Sequence, residues 1–212
     1  MSATAQARTS PRRRPRTRRR LGRRRLALLA TVVLSAVVAT AVLSPWADKA
    51  VKEVTLPLRH DDVIRQQAAD KQLDPALIAG VIYVESRFRD QTSHAGAKGL
   101  MQLMPETAAY IASKSGGTEF VQGDLADPQI NISYGSWYLR YLQEKYHGNV
   151  LLTLAAYNAG EGKVDEWWRE AAARGERFRA PDIPFAETRE YVSSVQEARR
   201  AYRREYAREL GL

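Results

Sequence analysis

The 212 residues suffice for one domain or two small ones, and at 44% hydrophobic and 27% charged they fall in the globular range, which excludes wholesale disorder and collagen. The absence of cysteine rules out disulfides, zinc-thiolate sites, iron–sulfur clusters and a cysteine nucleophile, and His60, His94 and His147 are too scattered to suggest a metal-ligand pair. The net charge of +9 suggests nucleic acid until it is located. Residues 1–25 hold 11 Arg and no acidic residue; without them 22 Lys+Arg face 24 Asp+Glu, a net of −2 over residues 26–212. The basicity belongs to a tail, and the folded part is close to neutral.

Residues 1–25 are Arg, Pro, Ser, Thr and Ala without apolar periodicity, and are expected to be disordered. Residues 26–43 then run 18 positions without a charge, a helix of about 27 Å, near the thickness of a bilayer core. Arginines directly before such a run keep the N-terminus in the cytoplasm and send the rest across. The sequence thus predicts a single transmembrane signal-anchor over 26–44, with Trp46 at the far interface and a linker over 45–57. The remainder, 58–212, is expected to form a domain on the extracytoplasmic side of the membrane, in the periplasm or cell wall. A cleaved signal peptide is the competing reading: Ala39-Thr40-Ala41 fits a small-x-small site, but Val42 and Leu43 continue the apolar run.

After position 57 strand patterns are scarce and helix punctuation is frequent. Asp74-Pro75 and Asp127-Pro128 each read as an N-cap followed by Pro at the first helical position. Asn149 caps the run that follows it, and Pro184 opens the last helix. Gly148, Gly160, Gly175 and Gly211 each follow a helical run. The predicted helices are 60–71, 75–88, 105–114, 128–147, 150–158, 163–174 and 184–209. The fold class is therefore an all-α globule behind one N-terminal transmembrane helix.

On the helix from Pro75, positions 78, 81, 85 and 88 share an apolar stripe, and position 85 is glutamate. A carboxylate there is costly unless it is paired or its pKa rises until it holds a proton. A glutamate protonated near neutral pH is what a general acid requires. Pairing with Arg87 or Arg89, or exposure at the stripe's edge, is the structural alternative. Nearby, Gly96, Gly99, Gly116 and Gly117 surround Met101-Gln102-Leu103-Met104-Pro105, and Ala156-Tyr157-Asn158-Ala159-Gly160 ends a helix with a phenol and an amide beside a glycine turn. No Gly-rich loop follows a strand and no G-x-S-x-G elbow is present.

Four blocks in order resemble the soluble lytic murein transglycosylases: Glu85-Ser86 with Phe88, then Gly99 to Pro105, then Ala156 to Gly160, then Glu187-Thr188-Arg189-Glu190-Tyr191-Val192. Asp124 to Pro128, with Asn131-Ile132 and Gly135, is similar too. The resemblance covers about 60 to 205. Arg89-Asp90 stands where the family commonly carries Asn-Pro, a departure confined to a loop.

The resemblance implies a lysozyme-like α fold, and cleavage of the β-1,4 bond between N-acetylmuramic acid and N-acetylglucosamine with formation of 1,6-anhydromuramic ends. By matching position, Glu85 is the single catalytic acid and then base. Ser86, Gln102 and Asn158 line the sugar groove, Met101 and Tyr157 pack against the sugars, and Tyr191 lies near Glu85 and sets its protonation. No metal or organic cofactor is implied. The expected partners are peptidoglycan glycan strands, and the membrane through residues 26–43, with no nucleic acid. Glu187 and Glu190 read as first-turn charges of the last helix rather than catalytic groups. The rival readings are a muramidase of similar fold that uses water, a non-catalytic glycan-binding domain, and a nucleic-acid binder acting through the arginine tail.

Overall fold

Each capped helix begins where its cap dictates. In a computed structural model, which describes residues 51–116 and 121–212, the helices are α1 (Asp61–Lys71), α2 (Pro75–Ser86), α3 (Pro105–Ser115), α4 (Pro128–Lys145), α5 (Val150–Ala159), α6 (Glu161–Ala173) and α7 (Ala186–Glu205). The Asp74 carboxylate accepts from the Ala76 N–H at 3.0 Å, Asp127 from Gln129 and Ile130 at 2.7 and 3.2 Å, and Asn149 from Leu151 and Leu152 at 3.0 and 3.3 Å. Short 3-10 turns at Gln122–Ala126 and Ala180–Asp182 complete the regular structure. Among the described residues no strand forms; Thr92, Lys98 and Leu103 make isolated bridges within one loop.

α2 forms the centre of the fold. Residues 76–82 are all buried, so the helix is apolar nearly all round and not along one stripe. α7 packs closely on it because Gly80 has no side chain: a Cβ there would sit 3.1 Å from the Val195 carbonyl and the Arg199 N–H. Asp74, already capping α2, also pairs with Arg199 and Arg203 of α7 at 2.5 and 3.2 Å. The two helices run antiparallel, which carries Tyr191 to the end of α2 that holds Glu85. Where α5 turns into α6, Lys145 bridges Glu161 and Asp165 at 2.7 and 2.8 Å.

Several helix ends differ from the sequence reading, those of α2 and α7 among them. α2 stops at Ser86 because Arg87 and Phe88 both turn left-handed, with φ of 52° and 59°, which buries Phe88 against Tyr202. α7 starts at Ala186, not Pro184, and stops at Glu205, after which the chain folds back to bury Leu210. Residues 55–57, within the segment read as linker, lie against the helices: the hydroxyls of Tyr83, Tyr206 and Tyr202 donate to the carbonyls of Thr55, Leu56 and Pro57 at 2.9, 2.7 and 2.5 Å. Glu53–Leu212 make one unit. The predicted tail over 1–25 and signal-anchor over 26–44 lie outside the described residues. Among the described residues no helix is long and apolar enough to cross a membrane.

Candidate active site

Glu85 sits in the last turn of α2, half-buried. Burial pushes its carboxyl from the usual 4.5 up to about 7, against the opposing effect of the Tyr191 hydroxyl, which donates to Oε1 at 2.7 Å. Neither nearby arginine pairs with it. The Arg87 guanidinium lies over the Tyr83 ring, 5.1 Å from its centroid, and Arg89 turns back to the Ser86 carbonyl at 3.5 Å. What shifts Glu85 is its own burial and Tyr191; no second carboxylate among the described residues contributes. Burial first, and the Glu85 charge second, hold the phenols of Tyr157 and Tyr191 well above their usual 10. Two neutral hydroxyls thus stand beside one carboxyl poised near neutrality.

The loop from Arg87 to Met104 forms the wall next to Glu85, and it is tied down from four sides. The Ser86 hydroxyl donates to the Leu100 carbonyl at 2.7 Å and to Ile82 at 3.1 Å. The Tyr157 hydroxyl donates to the Met101 carbonyl at 3.0 Å. Gln102 donates through Nε2 to the carbonyls of Gln91 and Gly99 at 3.0 and 2.7 Å. Asn131, from the first turn of α4 and fully buried, accepts from the Met101 N–H at 2.8 Å and donates to the carbonyls of Lys98 and Leu125, each at 3.0 Å. Gly99 passes so close to this amide that a Cβ would lie 2.1 Å from Asn131 Nδ2, and its φ of +75° suits glycine alone.

A cavity of about 200 Å³ opens beside this loop, lined among others by Gln102, Met104, Thr107, Tyr138, Tyr157 and Asn158. Gln102, Tyr157 and Asn158 are therefore brought together on one wall. Ser86 and Met101 are not. Ser86 is 2% exposed with its hydroxyl committed to backbone, and Met101 is fully buried with its sulfur over Gly135. Their reading as groove lining is corrected to one of support, because a side chain enclosed by the core has no face for a sugar. A second cavity, about 380 Å³, lies between α2 and α7 beside Tyr83, Arg87 and Glu197, and none of the predicted site residues lines it. Glu187 and Glu190 are exposed. Among the described residues no group of three or more His, Cys, Asp or Glu is placed to hold a metal ion.

Sequence reasoning assigned no role to Asn131, Tyr138 or Thr188. Asn131 carried the same signal as Glu85, a polar residue on an otherwise buried helical row with Gly135, Tyr138 and Leu142. Thr188 had no local signal, since its partner Asn158 is 30 residues away.

The family model described as "Transglycosylase SLT domain" matches residues 62–178, more than half of the chain. The chain is 34% identical over 146 residues to the soluble lytic murein transglycosylase of Escherichia coli K12, a match covering 68% of this chain and 23% of that protein. It is 31% identical over 164 residues to the membrane-bound lytic murein transglycosylase C of Salmonella arizonae, covering 67% of this chain and 46% of that one. An inactive Glu-to-Gln mutant of the lytic transglycosylase Slt from Pseudomonas aeruginosa superposes with a TM-score of 0.66 at 30% identity, covering 86% of this chain and 30% of that chain. The chain thus spans a quarter to a half of the length of the relatives it matches.

Proposed function

Because this chain belongs to the Transglycosylase SLT domain family, we propose that it is a lytic transglycosylase of peptidoglycan, acting on the β-1,4 bond between N-acetylmuramic acid and N-acetylglucosamine. The observation that carries this reading is Glu85: a half-buried carboxyl raised to about 7, bonded to Tyr191, with no carboxylate among the described residues shifting it.

Protonated Glu85 gives its proton to the glycosidic oxygen as the bond from that oxygen to the muramic anomeric carbon breaks, and the N-acetylglucosamine leaves as an alcohol. The N-acetyl carbonyl oxygen of the muramic acid stabilises the anomeric cation. The muramic C6 hydroxyl then attacks that carbon and returns its proton to the Glu85 carboxylate, closing the 1,6-anhydro ring. Acid and proton are restored and no water is consumed. The attack is intramolecular, so proximity favours it over water. A hydrolase with two carboxylates needs a second one near the first; among the described residues none shifts Glu85, which supports the one-glutamate route. In this reading Gln102, Tyr157 and Asn158 face the sugars while Ser86 and Met101 hold the loop behind them. The inactivity of the Pseudomonas Glu-to-Gln mutant is the behaviour expected where one glutamate does both jobs. The test is the mass of muropeptides released from purified sacculi. Products one water lighter than reducing ends are expected, and products with reducing ends only would overturn the reading in favour of a muramidase.

We further propose that the domain works outside the cytoplasm, anchored through residues 26–43 with the N-terminus inside. The support is the 11 Arg of residues 1–25 ahead of 18 uncharged residues, together with the membrane-bound relative. On fractionation the full-length chain is expected in the membrane and to resist high salt, because the hold is apolar and not ionic. Recovery of only a shortened soluble chain beginning near Val42 would mean a cleaved signal peptide.

A further inference from the structure

Several amides and hydroxyls lining the cavity beside the Arg87–Met104 loop are used within the protein, which fixes the polarity of what they present. Gln102 donates through Nε2 to two backbone carbonyls, at 3.0 and 2.7 Å, which leaves its amide oxygen as an acceptor. Tyr157 gives its only proton to the Met101 carbonyl at 3.0 Å, so its oxygen can only accept. Asn158 is the reverse case. Its Oδ1 accepts from the Thr188 hydroxyl at 2.8 Å, which leaves the Asn158 N–H2 to donate. A carboxamide has edges of nearly equal shape and opposite polarity, and here the oxygen edge is the one that meets the Thr188 hydroxyl. Thr188 itself is buried in the first turn of α7, at 2% exposure, and touches no ligand directly.

We propose that Thr188 is a positioning residue for substrate selection: by holding the Asn158 oxygen it turns the Asn158 N–H2 outward, so that an amide donor stands beside the Gln102 and Tyr157 acceptors on that wall. That pattern complements a secondary amide, whose N–H meets an acceptor and whose C=O meets the donor. The proposal rests on the glycan reading above and assigns this wall to the acetamido group of an N-acetylated sugar. A de-N-acetylated sugar has no carbonyl for Asn158 and so forfeits that bond.

The test is a binding titration of the full chain in detergent, carrying Glu85→Gln to prevent turnover, with the tetramers of N-acetylglucosamine and of glucosamine. Adding Thr188→Val, which keeps shape and removes the hydroxyl, should weaken the N-acetylated tetramer about tenfold, the scale of one hydrogen bond, and leave the glucosamine tetramer within about twofold. Thr188→Ser, which keeps the hydroxyl, should restore the preference, and this arm separates positioning from a packing defect. Equal weakening of both tetramers by Thr188→Val, unchanged binding of the N-acetylated one, or a Ser variant that behaves like Val would overturn the proposal. Binding of neither tetramer when Thr188 is intact would overturn the glycan reading beneath it. Since no turnover is read, failure of the anhydro-forming chemistry alone leaves the result standing.

Discussion

Glu85→Gln should leave a folded protein that binds glycan and has lost nearly all turnover. General acid–base assistance is typically worth about 10²–10⁴-fold, and in the proposed mechanism one side chain gives a proton and then takes one back, so the loss belongs at the upper end. Turnover of folded Glu85→Gln protein at the wild-type rate would remove Glu85 from the mechanism. The pH dependence follows from the same carboxyl. With its pKa near 7, kcat/KM should be level on the acid side and fall about tenfold per pH unit above 7, as the proton to be donated is lost. Tyr191 stabilises the carboxylate by its 2.7 Å bond. Tyr191→Phe should therefore raise the Glu85 pKa further and move the alkaline limb to higher pH, whereas an unmoved limb would reduce Tyr191 to packing. Stability moves with the opposite demand. The folded pKa lies above the usual 4.5, so the native state holds the proton more tightly than the unfolded chain does. That stabilisation is complete below about 4.5 and lost as pH rises through about 7, an effect of order 3 kcal/mol. Glu85→Gln should accordingly melt higher than wild type at about pH 8, with the gap closing toward about pH 4, a comparison readable by thermal unfolding.

How far the sequence disclosed this site depends on whether each interaction is local. The caps of α2, α4 and α5 were legible because a capping side chain reaches only two or three residues ahead. Glu85 was legible because a charge among Ile78, Val81 and Phe88 contradicts its surroundings, although the surroundings proved to be a helix buried on nearly every side. The roles of Ser86 and Met101 were misread for the reason that Asn131 was missed. Ser86 and Met101 act through contacts at Leu100 and Gly135, 14 and 34 residues away, and Asn131 reaches Lys98 and Met101, 33 and 30 residues away, besides Leu125 close by; no periodicity encodes the distant pairings. Similarly, nothing near Thr188 announces that its hydroxyl meets Asn158.

Asn131→Ala should be the most damaging substitution in the groove that touches no proposed sugar contact. The amide is fully buried and serves three backbone groups, the Met101 N–H and the carbonyls of Lys98 and Leu125. Alanine removes that partner from the Met101 N–H and the Leu125 carbonyl, while the Lys98 carbonyl keeps the Leu103 N–H at 3.0 Å. One stranded buried group costs about 1–3 kcal/mol, so a total of about 3–5 kcal/mol is expected once the loop relaxes. The relaxation is what reaches the chemistry. Met101 N–H is held by Asn131 while the Met101 carbonyl receives the Tyr157 hydroxyl, so freeing one side of that residue loosens the wall that Tyr157 and Gln102 present. Denaturant unfolding should register the lost stability. At temperatures where the variant is still folded, KM should rise more than kcat falls, because Glu85 and Tyr191 stand on α2 and α7 and do not depend on the loop. A variant as stable as wild type would mean that other donors and acceptors replace the amide. An equal fall in kcat at unchanged KM would mean that the loop supports the acid itself and not the groove.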